Sequence, residues 1–100
     1  MGHDKTFVGK VLGLMAEITV TVRNPHGLHA RPAALFVQRA AACEGAVEVV
    51  AGEKTGDAKS ILSIMGMGIE KGTSVVLRAQ GSNAETVLRS LREILEDSEA

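Results

Sequence analysis

A histidine, an arginine and a proline stand close together in the segment 27–33, which reads GLHARPA. Pro32 suits the first turn of a helix, where its fixed φ fits and its missing N–H is not needed. His29 should therefore lie at or just before a helix N-terminus, where backbone N–H groups and the helix dipole favour an anion. Arg31 adds a planar guanidinium that can bind phosphate oxygens. The segment predicts a nucleophilic imidazole beside an anion site, as a transient phosphohistidine requires.

Each of these residues also has an ordinary structural interpretation. A lone histidine near a helix start is more often a cap or a surface residue, an isolated arginine is usually solvated, and Pro32 by itself only starts a helix. His26 and His29 have the spacing of a metal pair, but no cysteine or carboxylate is placed to complete a site, so no metal is expected. The combination of His29, Arg31 and Pro32 in one segment favours the phosphohistidine interpretation over these structural ones.

The composition argues against several other functions. A chain of 100 residues makes one small domain, too small for an enzyme with a buried substrate cavity. A formal net charge of −1 and only two aromatic residues leave little with which to bind nucleic acid. No apolar run approaches the ~20 residues of a membrane-spanning helix. Since the single Cys43 cannot form an internal disulfide, we expect a protein of the reducing cytoplasm. Free cysteines are usually buried, so we expect Cys43 to be an inert thiol in the core.

Residues 1–15 are expected to be an N-terminal extension of the domain that we assign to residues 16–97. Gly9 and Gly13 weaken the amphipathic helix that the apolar residues of this stretch would otherwise form. The extension is interpreted as disordered or loosely attached, with Met15 as the original initiation residue. Alternatively, it is a short amphipathic segment that packs on the domain or on a neighbour.

Hydrophobic periodicity predicts the elements of the domain. Strands are expected over 17–23, 47–51 and 74–80, with a weak one after the turn at 52–54. Helices are expected over 30–42 and 60–67, and from a Ser82–Glu85 capping box onward. The order β-α-β-β-α-β-α, with clean strand alternation, indicates an α+β sandwich of a largely antiparallel sheet with helices on one face. No glycine-rich loop has the spacing of a nucleotide site, so no cofactor is expected.

Three strings carry a family resemblance: GLHARPA at 27–33, KSI at 59–61 and GIEKG at 68–72. Together they resemble the histidine-containing phosphocarrier (HPr) family of the bacterial phosphoenolpyruvate-dependent sugar phosphotransferase system. The resemblance implies an open-faced sandwich of four antiparallel strands and three helices. It also implies a monomeric covalent carrier, not an enzyme, which takes a phosphoryl group from enzyme I to IIA domains of sugar permeases.

The resemblance assigns roles to individual residues. His29 would be phosphorylated on Nδ1, Arg31 would stabilise the phosphoryl oxygens, and backbone N–H groups of Ala30 and Arg31 would complete the cradle. Ser60 would be the site of a regulatory kinase, HPr kinase/phosphorylase, with a catabolite-control transcription factor as a further partner. The alternative is that Ser60 only caps the helix that follows it.

The resemblance also implies an apolar docking patch on the short helix, formed by Ile61, Leu62 and Met65. The alternative is that these residues belong to the core, but Ile64 points the other way and is the better core candidate, since so short a helix cannot bury every face. Two other functions stay open. One is a specialised carrier for nitrogen regulation or dihydroxyacetone phosphorylation, and the other is a regulatory module that acts through phosphorylated Ser60. The presence of His29 argues against the second.

Overall fold

The protein is an α+β sandwich with one sheet and three helices. The structure, a computed structural model, describes residues 10–98. The strands are β1 (Lys10–Leu12), β2 (Met15–Thr21), β3 (Val47–Ala51), β4 (Lys54–Asp57) and β5 (Ser74–Gln80). The helices are α1 (Ala30–Ala40), α2 (Ile61–Gly66) and α3 (Ala84–Glu96). The four strands and three helices that the sequence predicts are thus confirmed in order, and β1 is an addition to them.

The sheet is antiparallel throughout, in the order β1-β2-β5-β3-β4. In the register of its central strands, Ile18 lies opposite Leu77, which in turn lies opposite Val49. All three side chains are buried, and the same face of the sheet packs against the helices. The other face carries polar and half-buried side chains, as the period-two alternation predicts.

A row of charges crosses the open face one residue away from that apolar row. Arg78 lies between Glu17 and Glu48, and donates to a carboxylate oxygen of each at 3.2 Å. These two hydrogen bonds raise the pKa of the Arg78 guanidinium above its ordinary value. The row aligns β2, β5 and β3 from the solvent side while the apolar row aligns them from the core.

The helices bury one stripe each. Phe36 is fully buried at the centre of α1, while the neighbouring Val37 is only half-buried. The apolar residues of α3 recur at helical spacing, and all of them are buried: Ala84, Val87, Leu88, Leu91, Ile94 and Leu95. Cys43 is buried as well, with its Sγ 3.2 Å from the Gln80 carbonyl oxygen.

The prediction of a Ser82–Glu85 capping box at the start of α3 is wrong. The N-cap residue is Asn83, and its side chain makes no capping hydrogen bond. Ser82 instead donates through both its hydroxyl and its backbone N–H to the carboxylate of Glu44. Asn83 likewise contacts the loop after α1, donating to the Ala42 carbonyl oxygen at 2.8 Å. The polar side chains before α3 therefore join two loops and do not cap their own helix.

Part of the predicted extension belongs to the sheet. Lys10–Leu12 form β1, which pairs with the start of β2 in the register Leu12 opposite Met15. Gly13, with a φ of +60°, makes the turn between the two strands, a conformation that glycine adopts readily. Residues 1–9, the rest of the expected extension, lie outside the described residues.

Candidate functional site

The loop between β2 and α1 is fixed at its start by a buried asparagine. Asn24 is 2% exposed, and its backbone N–H donates to the Leu95 carbonyl oxygen of α3 at 3.0 Å. Its side-chain oxygen accepts from the backbone N–H of His26 at 2.8 Å. This local side-chain bond closes a turn and so determines where the His26 backbone lies.

The next two residues attach the loop to a second loop, which precedes β5. Gly27 has a φ of +58° and lies against the backbone of Ile69, where there is no space for a Cβ. Leu28 is buried, and its backbone N–H donates to the Ile69 carbonyl oxygen at 3.0 Å. The residues immediately before His29 are therefore held from both sides.

His29 is the N-cap residue of α1, as the sequence predicts. Its backbone is extended, with φ −114° and ψ 152°, and its side chain makes no capping hydrogen bond. The imidazole is exposed, so it is available to a reaction partner. It lies where the first N–H groups of a helix lack intrahelical partners and the helix dipole favours an anion.

Ala30, directly after His29, has a φ of +41° and is the one non-glycine residue with positive φ among residues 10–98. This conformation brings the Cβ of an L-residue close to its own backbone and costs about 1–2 kcal/mol. Such strain persists only where the surrounding structure imposes it, and it is concentrated at functional sites. Here it falls between the two side chains that the sequence singles out, His29 and Arg31.

Those two side chains line separate surface depressions. His29 shares a shallow depression with Pro25, His26, Glu70 and Lys71, and we call it the His29 depression. Arg31 lines a groove between α1 and α3, together with residues of both helices: Pro32, Leu35, Arg39, Glu93 and Ile94, with Asn24 and Asp97 at its ends. The structure thus brings His26, Glu70 and Lys71 to His29, but leaves Arg31 in the neighbouring groove.

Sequence reasoning did not identify Glu70 and Lys71 as site residues. Their string contributed to the family resemblance, but their distance along the chain gives no sign that they face the histidine. The link is made by tertiary hydrogen bonds, such as Gly72 N–H to Val22 carbonyl oxygen at 2.8 Å. Among residues 10–98, no group of three or more histidine, cysteine or acidic side chains could hold a metal ion.

Ser60 is the N-cap residue of α2. Its side-chain oxygen accepts a hydrogen bond from the backbone N–H of Ser63 at 3.2 Å. The hydroxyl of Ser63 accepts in turn from the backbone N–H of Asp57 at 2.9 Å. The capping interpretation of Ser60 is therefore confirmed, and its regulatory phosphorylation stays a prediction.

The outer face of α2 is apolar and exposed. Leu62 is 82% exposed, and Ile61 and Met65 are partly exposed beside it, while Ile64 is fully buried as expected. Leu35 of α1 is exposed as well, and α1 packs against α2. Exposed apolar patches occur at protein–protein interaction sites, and the docking role of this face stays a prediction.

Within the described part of the chain, no helix has the length and apolar character needed to cross a membrane. The fold and the site together define an open-faced antiparallel sandwich that presents an exposed histidine at a helix N-terminus.

The family model for the PTS HPr component phosphorylation site matches residues 16–97. The phosphocarrier protein HPr of Mycoplasma capricolum subsp. capricolum is 31% identical over 84 residues, which cover 84% of this chain and 94% of that protein. The crystal structure of a phosphocarrier protein HPr from Bacillus anthracis str. Ames is similar with a TM-score of 0.77 and 38% identity, covering 81% of this chain and 96% of that one.

The solution structure of Crh, the Bacillus subtilis catabolite repression HPr, is similar with a TM-score of 0.64 and 38% identity, covering 81% of this chain and 96% of that one. The chain therefore belongs to the HPr family of phosphocarrier proteins of the phosphotransferase system.

Proposed function

We propose that His29 accepts a phosphoryl group from phosphorylated enzyme I and passes it to IIA domains of sugar permeases, in the cytoplasm. The observation that carries this proposal is the place of His29. Its imidazole is exposed at the N-cap of α1 and is not used to cap the helix. The matching family model is described as a phosphorylation site and spans residues 16–97, which include His29.

In the proposed reaction, a ring nitrogen of His29, Nδ1 as in the family, attacks the phosphorus carried by a donor phosphohistidine. The new N–P bond forms as the donor N–P bond breaks, and the bonding electron pair returns to the donor nitrogen. The donor ring takes up a proton, and His29 releases the proton of its other ring nitrogen. Backbone N–H groups of Ala30 and Arg31 would receive the phosphoryl oxygens at the start of α1.

Arg31 would complete this cradle by turning from its groove toward the phosphoryl group. Its guanidinium is exposed, and only the strained Ala30 separates it from His29. A planar fork suits two phosphoryl oxygens, whereas an amide can supply only one weaker donor group. We therefore expect Arg31→Gln to slow transfer strongly and Arg31→Lys to restore it only in part, with unfolding unchanged in both.

The proposal is tested with phosphoenolpyruvate and enzyme I as the phosphoryl source. We expect one acid-labile, base-stable phosphate per chain, which is lost in His29→Ala and kept in His26→Ala. A His29→Ala protein that still takes up the label would overturn the assignment. The phosphorylated protein is then mixed with a panel of acceptor domains from sugar permeases and from dihydroxyacetone or nitrogen-regulatory systems. The partner is the domain that removes the labelled phosphoryl group from His29.

Ser60 is proposed as a second, regulatory site. HPr kinase/phosphorylase would phosphorylate it, and the phosphorylated protein would bind a catabolite-control transcription factor. Its place at the start of α2 suits a phosphate, and the added charge would lie directly beside the apolar face of Ile61, Leu62 and Met65. Likeness to a protein called a catabolite repression HPr supports this role. The test is incubation with the kinase and ATP, and a wild-type protein that stays unmodified would remove this second function while leaving the carrier function intact.

A further inference from the structure

The phosphoryl group proposed for His29 would enter a depression whose other walls are already in place. Pro25, His26, Glu70 and Lys71 surround the acceptor, while Arg31 lies in the groove between α1 and α3. Apart from His29, the side-chain hydrogen-bond donors of this depression are therefore the imidazole of His26 and the ammonium group of Lys71.

His26 is held in place through its backbone. Its N–H donates to the side chain of Asn24, which is itself buried and bonded to the end of α3. On its other side, Gly27 packs against Ile69 with no space for a Cβ. The backbone of His26 is therefore fixed within this loop, and the imidazole adjusts its position in the depression by side-chain rotation.

Lys71 is held by the opposite loop. The Gly72 backbone N–H donates to the Val22 carbonyl oxygen at 2.8 Å, and the Thr73 N–H donates to the Glu70 carbonyl oxygen at 3.1 Å. These bonds attach the Lys71 backbone to the end of β2, from which the His29 loop departs. Lys71 thus lines the depression from the loop opposite His26, on a long side chain whose ammonium group can follow the phosphoryl group.

We infer that His26 and Lys71 bind the phosphoryl group carried by His29 and set how strongly this protein holds it. The inference rests on the proposed function. Each neutral tautomer of an imidazole has one N–H, so His26 can donate without gaining a proton, and Lys71 adds a full positive charge. Glu70 faces the same depression, and its carboxylate repels the phosphoryl dianion. Since these contacts exist only after phosphorylation, they change the free energy of the phosphorylated form alone.

The test measures the equilibrium constant for phosphoryl exchange between enzyme I and this protein, by ³¹P NMR of the two phosphohistidines. His26→Leu and Lys71→Met should each lower the constant about three- to fivefold, as expected for charge-assisted contacts at an exposed site. Glu70→Gln should raise it. His26→Gln and Lys71→Arg, which keep a donor, should restore most of the wild-type value. Lys54→Met is the control, because it removes the same charge from β4, outside the depression.

The outcomes separate this inference from the carrier function itself. Equal constants for wild type, His26→Leu and Lys71→Met would overturn the inference while His29 still carries the label. A loss in His26→Leu that His26→Gln does not restore, and that accompanies a lower unfolding midpoint, would also overturn it, since the role would then be structural. A wild-type chain that takes up no label on His29 would overturn both proposals.

Discussion

Gly27 lies directly against the backbone of Ile69, and no side chain could fit between them. A Cβ on Gly27 would come within 2.9 Å of the Glu70 Cα and would overlap the Ile69 carbonyl oxygen. The contact joins the loop before α1 to the loop before β5, and these two loops form the two walls of the His29 depression. A small change at Gly27 should therefore affect both stability and the site.

We expect Gly27→Ala to destabilise the protein by about 2–3 kcal/mol, because it adds a backbone clash to the strain of a positive φ. Urea unfolding provides the measurement. The control is Gly52→Ala, where φ is +62° but a Cβ meets nothing within 4 Å. That change should cost about 1 kcal/mol, from the left-handed conformation alone. Equal losses for the two variants would contradict a tight contact between Gly27 and Ile69.

Leu62→Ser should weaken encounters with enzyme I without weakening the fold. Its side chain is 82% exposed, so little burial is lost, and exposed substitutions usually change the free energy of unfolding by less than about 0.5 kcal/mol. We expect a several-fold rise in the KM for this protein as substrate of phosphorylated enzyme I, with kcat nearly unchanged.

A matched control for this prediction lies in the turn between β1 and β2. Leu14 is 67% exposed there, so Leu14→Ser makes the same chemical change away from α2. It should leave the KM at the wild-type value. If both variants raise the KM equally, the apolar face of α2 is not a specific docking surface.

Ser60→Ala should cost about 1 kcal/mol of stability, because the backbone N–H of Ser63 loses its capping partner. Thermal or chemical unfolding measures this loss. Phosphorylation of His29 by enzyme I should continue at close to the wild-type rate. Ser74→Ala, at the exposed start of β5, serves as the comparison. Identical unfolding midpoints for the two variants would show that the Ser60 cap contributes nothing.

The contact between Glu44 and Ser82 should make stability depend on pH in the acid range. Hydrogen bonds from the hydroxyl and backbone N–H of Ser82 lower the pKa of Glu44 from its ordinary value of 4.5. Because the folded state has the lower pKa, the stabilisation is complete above pH 4.5 and is lost as the pH falls through the folded pKa. The effect is small, since Glu44 is exposed to solvent.

Urea unfolding at a series of pH values tests this linkage. Wild type should be more stable than Glu44→Gln at neutral pH, and the difference should shrink as the solution becomes acid. Ser82→Ala removes the hydroxyl donor and should reduce the same pH-dependent difference. A difference between wild type and Glu44→Gln that stays constant across the acid range would show that the folded and unfolded pKa values of Glu44 are equal.

The elements were predictable because their signals are local. The apolar spacing of α3 and the alternation of β5 depend on neighbouring residues only, and both elements form as expected. The Ser82–Glu85 capping box failed because Glu44, distant in sequence, binds Ser82 more favourably than the helix end does. Strand β1 was missed because three residues next to a glycine show no period, and their pairing with β2 is a tertiary event.

The site was predictable to a similar degree. The position of His29 at the start of α1 was predictable, because Pro32 and the turn residues before it indicate where the helix begins. The separation of Arg31 from His29 into two depressions was not predictable, since it depends on how α3 packs against α1. The approach of Glu70 and Lys71 to His29 was not predictable either, because it depends on tertiary hydrogen bonds of the loop before β5.

The pairing of β2 with β5 has a consequence for the protein during its synthesis. β2 leads into the loop that carries His29, β5 follows the loop that faces it, and Leu95 at the end of α3 accepts hydrogen bonds from Arg23 and Asn24. A nascent chain that has been synthesised just beyond His29 therefore contains the reactive residue but lacks both the loop before β5 and the end of α3, which hold the His29 loop in place. Because such non-local contacts form only when both partners are available, competence to accept a phosphoryl group should be among the last properties that the growing chain acquires.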